Sequence, residues 1–178
     1  GNCLTMNKTI SIAGLLLCLA LTGCGYHTAG KAVKIPTDVR TIAIPTFANN
    51  TQSYRIEQIL TAAVVKEFTS RTNYRIVNSP SSEADATLHG TVVSTQIYGL
   101  TYDPKNGRLS SAEVAVYASV SLVDRHGKSL FDNPNYYFRE QYEFSLDPST
   151  FFREESPAVD RMSQDFAHTL VSDILENY

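Results

Sequence analysis

The chain has 178 residues, with 15 Lys and Arg against 18 Asp and Glu and a net charge of −3 with histidine neutral. That mild acidity excludes a general affinity for nucleic acid or for an anionic membrane surface, so an anionic ligand requires a local basic patch. Its three cysteines, Cys3, Cys18 and Cys24, all lie within the first 24 residues, which leaves the body of the chain without a disulfide pair.

The first element in chain order is a signal segment. Met6-Asn7-Lys8 gives a positive start, and Ile10 to Leu21 runs without a charge. That length suits a signal core of about 7–15 residues and falls short of the ~20 that span a bilayer. The run closes on Leu21-Thr22-Gly23-Cys24, which resembles a bacterial lipobox. The resemblance implies cleavage after Gly23 and acyl chains on Cys24; an ordinary secretory signal with a cysteine near its cleavage point is the alternative. Gly25 carries none of the acidity of an inner-membrane retention signal, so the outer membrane, facing the periplasm, is the expected location. Three parts follow: residues 1–23 as signal peptide with the residues upstream of Met6, residues 24–38 as lipidated cysteine and flexible tether, and residues 39–178 as one domain. Cleavage leaves 155 residues, enough for a core that needs no staples.

Order is expected from Val39. Arg40 to Phe47 is rich in β-branched residues and reads as a first strand, with Pro45 tolerated at a strand end or edge. Asn49-Asn50-Thr51 is turn chemistry, and Thr51 or Ser53 is the expected helix cap. Ile56, Ile59, Leu60, Ala63, Val64 and Phe68 recur at three- and four-residue intervals, the pattern of one amphipathic helix ending near Ser70. Tyr74–Val77 is a short strand and Ala86–Leu100 a long one, in which Gly90 marks a bulge or a close backbone approach. Asp103 to Gly107 is a turn, and beyond it Val114, Val116, Ala118, Val120 and Leu122 alternate, so the two flanks form a long antiparallel hairpin. Asp124 to Gly127 turns again, and Ser129–Phe131 and Tyr136–Phe144 return as strand. Ser156-Pro157 opens a second helix whose apolar stripe is Val159, Met162, Phe166, Leu170 and Ile174. Strand, helix, a run of antiparallel strands, helix: with one apolar stripe per helix, burial is simplest with both helices on one sheet face, an α+β two-layer sandwich.

The sequence carries no recognisable catalytic constellation. His27, His89, His126 and His168 have no metal-like spacing, and no cysteine of the body joins them. Asp147, Glu154, Glu155 and Asp160 form a loose acidic cluster, but carboxylates gather at helix N-termini for dipole reasons. Gly90 and Gly99 lie in strands and cradle no phosphate, and no serine sits in a nucleophile elbow. The expectation is a protein that is not an enzyme and carries no cofactor or metal.

Several stretches taken together resemble the LptE family of lipopolysaccharide-assembly lipoproteins. They are Cys24-Gly25-Tyr26-His27, Thr41 to Phe47 with Asn50-Thr51, Glu57 with Leu60-Thr61, and Ala84 to Gly90. Leu122-Val123-Asp124, the Tyr142 region and Phe151-Phe152-Arg153-Glu154-Glu155 complete the set. Their joint order and spacing carry the likeness. The resemblance implies two helices packed on a mainly antiparallel four-stranded sheet, and an outer-membrane lipoprotein that plugs the LptD β-barrel and helps deliver lipopolysaccharide to the cell surface. Another periplasm-facing lipoprotein of similar layout, a secretin pilot or an activator of cell-wall synthesis, is the alternative. For the barrel contact, Tyr137, Arg139, Gln141 and Glu143 alternate with Phe138, Tyr142 and Phe144, and one of these sets is expected to face the partner, with Tyr137 and Arg139 foremost. For the phosphates of lipopolysaccharide, the hairpin tip with Lys105 and Arg108 beside Asn106-Gly107 is the best basic site.

Overall fold

The computed structural model describes residues 31–32, 35–143 and 157–176. Seven strands and two helices are present among them: β1 (Lys31–Ala32), β2 (Thr41–Ala43), β3 (Ala48–Asn49), α1 (Ile56–Arg71), β4 (Arg75–Val77), β5 (Ala86–Tyr102), β6 (Leu109–Asp124), β7 (Ser129–Glu143) and α2 (Pro157–Glu176). One sheet runs β1-β7-β6-β5-β2-β4, with β3 also on β5.

The α+β class holds, but the expected mainly antiparallel four-stranded sheet is too simple. β1, β7, β6 and β5 pair antiparallel, but β2 is parallel to both β4 and β5, and β3 is parallel to β5. A parallel partner needs a long crossover, and α1 supplies it between β2 and β4. The single first strand expected across Arg40–Phe47 also divides. After Ala43 the chain leaves the ladder at Ile44-Pro45, where proline has no N–H to donate, and rejoins the sheet at Ala48. β7, read as two pieces, is one strand. Its register against β6 slips between Tyr136 and Asn133, which places Pro134 at an irregularity where a missing donor is tolerated. Lys31–Ala32, within the stretch read as tether, pairs with Asp132 and Phe131 of β7.

The caps of α1 also differ from expectation. Neither Thr51 nor Ser53 caps the helix; Arg55 holds the N-cap position in left-handed backbone with φ 53° and no side-chain cap. Thr51 and Ser53 instead fold the loop. The Thr51 N–H donates to Asn49 Oδ1 at 2.8 Å, the Ser53 N–H to Thr51 Oγ1 at 3.1 Å, and Ser53 Oγ lies 2.6 Å from Thr95 Oγ1 of β5.

One core fills the space between the helices and one face of the sheet. α1 contributes Ile56, Leu60, Val64 and Phe68, α2 contributes Val159, Met162, Phe166, Leu170 and Ile174, and β6 contributes Val114, Val116, Ala118, Val120 and Leu122, all buried. Phe166 meets Tyr136 and Phe138 edge-on at 5.7 and 5.8 Å. Gly90 realises the expected close approach, because a Cβ there would stand 2.6 Å from the Phe47 ring. Phe47 is held in turn by its N–H, which donates to the buried Thr61 Oγ1 of α1 at 3.0 Å. The helices meet along a polar seam, where Arg71 donates to Ser172 Oγ at 2.7 Å and Glu67 faces His168 Nδ1 at 3.0 Å.

Candidate interaction face and hairpin tip

With both helices on one side, the other face of the β5-β6-β7 ribbon is uncovered by any described element. The pairing Ala115↔Arg139 and Tyr117↔Tyr137 sets Tyr137 and Arg139 on this outer face, and Val116↔Phe138 and Ala112↔Tyr142 set Phe138 and Tyr142 in the core. Of the two alternating sets, Tyr137, Arg139, Gln141 and Glu143 is thus the outward one. Phe144 lies outside the described residues. The outer face is organised rather than simply wet. Tyr117 and Tyr137 pack at 4.7 Å between ring centroids with planes 30° apart, Arg139 lies 5.9 Å over the Tyr137 ring, and its Nη1 is 3.7 Å from Glu113 Oε2. The exposed ion pair contributes under about 1 kcal/mol, so its effect is to aim the guanidinium rather than to stabilise the fold. Partial desolvation, then the neighbouring Tyr117, push the Tyr137 phenol above its usual range.

The tip that carries Lys105 and Arg108 is built by its acid and amide neighbours. The Asp103 N–H donates to the Arg108 carbonyl at 2.7 Å, and Gly107, at φ +67°, donates back to the Asp103 carbonyl at 2.8 Å. Asp103 Oδ1 accepts from the Lys105 N–H at 2.8 Å, Oδ2 from Asn106 Nδ2 at 2.9 Å, and Asn106 Oδ1 from the Arg108 N–H at 2.9 Å. The backbone is fixed while the two cationic side chains stay exposed, and among the described residues neither has an ion-pair partner. The structure does not bring the tip and the Tyr137 face together. Tyr117 is eight residues along β6 from Leu109, roughly 26 Å at strand rise.

At the opposite end of the ribbon the structure reveals a staple not foreseen from sequence. Asp85 Oδ2 accepts from the N–H groups of Arg40 and Thr41, both at 2.8 Å, its Oδ1 pairs with Arg125, and its carbonyl accepts from the Arg125 N–H at 2.8 Å. A cleft of about 240 Å3 beside it is lined by Pro36, Asp38, Val39, Asp85, Asp124, Arg125 and His126. Its carboxylates are largely committed to backbone. Asp124 Oδ1 accepts from the His126 and Lys128 N–H groups at 2.8 Å, and these bonds, that of Lys128 first, hold the Asp124 carboxyl below its usual range. Among the described residues no group of His, Cys, Asp and Glu is placed to hold a metal ion, and no helix is long and apolar enough to cross a membrane. Cys24, Asp147, Glu154 and Glu155 lie outside the described residues.

The family model of LptE, described as lipopolysaccharide-assembly, matches residues 39–174. The chain belongs to the LptE family. No curated protein matches it by sequence. Among solved structures, a point variant of the PelC dodecamer from Paraburkholderia phytofirmans is similar to this LptE-family chain with a TM-score of 0.52 at 12% identity, covering 82% of this chain and 96% of that one. The PelC dodecamer in a second crystal form gives 0.50 at 14% identity, covering 80% and 94%. The rare lipoprotein B of Shewanella oneidensis gives 0.46 at 17% identity, covering 75% and 94%. At these identities the PelC likeness concerns the fold alone.

Proposed function

We propose that this LptE-family protein is an outer-membrane lipoprotein, held by acyl chains on Cys24 with its domain on the periplasmic side, that plugs and supports an LptD-like β-barrel during lipopolysaccharide assembly. Its role is binding and positioning, not catalysis. The observation that carries the reading, beside the family match, is the outer sheet face, where aromatic and charged side chains are preset for a polar partner surface. Such a surface suits the water-lined interior of a large barrel better than it suits lipid. Tyr137 and Arg139 are the proposed barrel contacts, and Lys105 and Arg108 the proposed phosphate contacts.

Co-purification from detergent-solubilised outer membrane, with photocrosslinkers at Tyr137 and Arg139, tests it. One large barrel protein at equal stoichiometry, captured at both positions, is the expected result. Capture of a secretin or a wall synthase instead, or of no barrel at all, refutes it. Mass spectrometry of the mature N-terminus is expected to show a lipidated Cys24, and an unmodified terminus elsewhere refutes the anchor.

A further inference from the structure

The second half of β5 is a strand with one partner. β6 pairs with it along its whole length, but on the other side β2 reaches only Ala86 and Thr87, and β3 only Thr91 and Val92. The last tie on that side is the hydroxyl contact of Ser53 with Thr95. From Gln96 to Tyr102 no described strand covers the edge; up to Gly99 every second residue presents its backbone N–H and C=O outward, and beyond it two register shifts interrupt the alternation.

Three further observations mark this edge as a place where something binds. Free edges are commonly blunted with charged residues, Pro or bulges; β5 from Ala86 to Tyr102 contains no Asp, Glu, Lys, Arg or Pro and has only register irregularities, after Val92 and between Gly99 and Tyr102. Among the described residues, five of the six exposed large apolar side chains lie here: Val93, Tyr98, Leu100 and Tyr102 on the strand and Tyr54 on the loop bonded to it, between 46% and 65% exposed. They are shared between the two faces of the strand: Tyr98 lies on the outer face opposite Glu113, and Tyr102 lies on the other, its hydroxyl over Gly99. Finally, Tyr98 pairs across to Glu113, so the edge continues into the outer face that carries Arg139.

We propose that the β5 edge from Gln96 to Tyr102 takes up one extended, uncharged segment of the barrel partner as an added strand. The occupant must be an extended backbone, since that alone satisfies a row of alternating donors and acceptors. It is uncharged because the edge offers no opposite charge. The strands of a closed barrel wall have no free edge themselves, so the added strand comes from a loop or terminal segment of the partner. A second copy of this chain fits less well. Register shifts lie between Gly99 and Thr101 and between Thr101 and Tyr102, and two-fold self-pairing would set each irregular stretch against the regular one of its twin. The proposal rests on the barrel reading above.

The test is hydrogen exchange of the full-length protein, alone and in its purified complex with the barrel, combined with photocrosslinkers at Gln96 and at Tyr137. The expected result is that amides in residues 96–102 slow by about tenfold or more on complex formation, and that the Gln96 crosslink maps to one short barrel segment. The double variant Leu100→Lys, Tyr102→Lys, checked for an unchanged fold by its unfolding transition, is expected to abolish the Gln96 capture. If Tyr137 captures the barrel while edge amides exchange unchanged and Gln96 captures nothing, the added strand is refuted and the barrel reading stands. If neither position captures a barrel, the barrel reading fails and this proposal with it. A Gln96 crosslink to a second copy, or to residues 144–156 of the same chain, overturns the proposal.

Discussion

Replacing Asp85 is the sharpest test of how this sheet is held at its base. The carboxylate is 17% exposed and has two backbone donors and one guanidinium. A hydrogen bond to a charged group contributes about 1.5–3 kcal/mol, but the three partners are not equal. Arg40 is exposed, so its N–H turns to water when the acceptor is lost, and Arg125 is half-exposed, which limits that pair to under about 1 kcal/mol. The partly buried Thr41 N–H bears the larger loss. Asp85→Ala is therefore expected to destabilise by about 2–3 kcal/mol. In a domain of this size that corresponds to a fall of roughly 4–12 °C in Tm. Asp85→Asn keeps an acceptor oxygen and is expected to lose only about 1 kcal/mol. Urea unfolding of the purified protein reads both, with the exposed Asp38→Ala as a neutral control. An Asp85→Ala change within about 0.5 kcal/mol of wild type, or an asparagine as harmful as alanine, would refute the staple.

Phe166→Ala empties the centre of the core, where the ring meets Tyr136 and Phe138, and is expected to destabilise by about 3–5 kcal/mol in the same assay. Burial pushes the Tyr136 and Tyr142 phenols well above 10, with Asp173 and Asp165 respectively adding to it. Their contribution to stability is complete below pH 10 and is lost as pH rises through the alkaline range, because only the unfolded chain then ionises freely; the slope is up to about 1.4 kcal/mol per pH unit for each phenol. Unfolding free energies measured between pH 9 and 11.5 should lose that slope stepwise in Tyr136→Phe and Tyr142→Phe. The Lys105→Glu, Arg108→Glu variant is expected to fold and to bind the barrel normally, since an exposed tip adds little to the core. Its binding to purified lipopolysaccharide should weaken most at low salt, and unchanged binding across a salt series removes the tip from the mechanism.

Periodicity made the two helices and the long hairpin legible in the sequence, because each buries one stripe or one face against a single core. Ile56 to Phe68 and Val159 to Ile174 keep helical spacing, and Val114 to Leu122 keep strand spacing. The parallel pairings were not legible. Strands of two or three residues such as β2, β3 and β4 are too short to show a period, and which neighbour they choose depends on where α1 returns the chain. Of the candidate site, alternation told that Tyr137 and Arg139 share a face, but only pairing across to β6 told which face is bare. Asp85 had a visible signal in Ala84-Asp85-Ala86, an acid between small apolar residues at a strand entrance. Its backbone donors lie 44 or 45 residues back in the chain and Arg125 lies well ahead of it, and nothing local connects them.

The bare edge of β5 follows from the different rise of the two kinds of element. α1, at 16 residues, is about 24 Å long, while the 17 residues of β5 extend over roughly 56 Å. The unit formed by β2, β3, α1 and β4 thus flanks only the first part of β5, and the remainder runs on without a neighbour on that side. Charge would protect such an overhang at no expense to the core, since Tyr98, Leu100 and Tyr102 are exposed. The chain instead places Tyr98, Leu100 and Tyr102 there. Stability is concentrated around Phe47, Leu60 and Phe166, whereas the free edge, the tyrosine face and the cationic tip all lie on the outer face or distal half of the ribbon. Substitutions in those exposed places are therefore expected to alter partner and ligand binding while leaving the unfolding midpoint nearly unchanged, and those in the core to do the reverse.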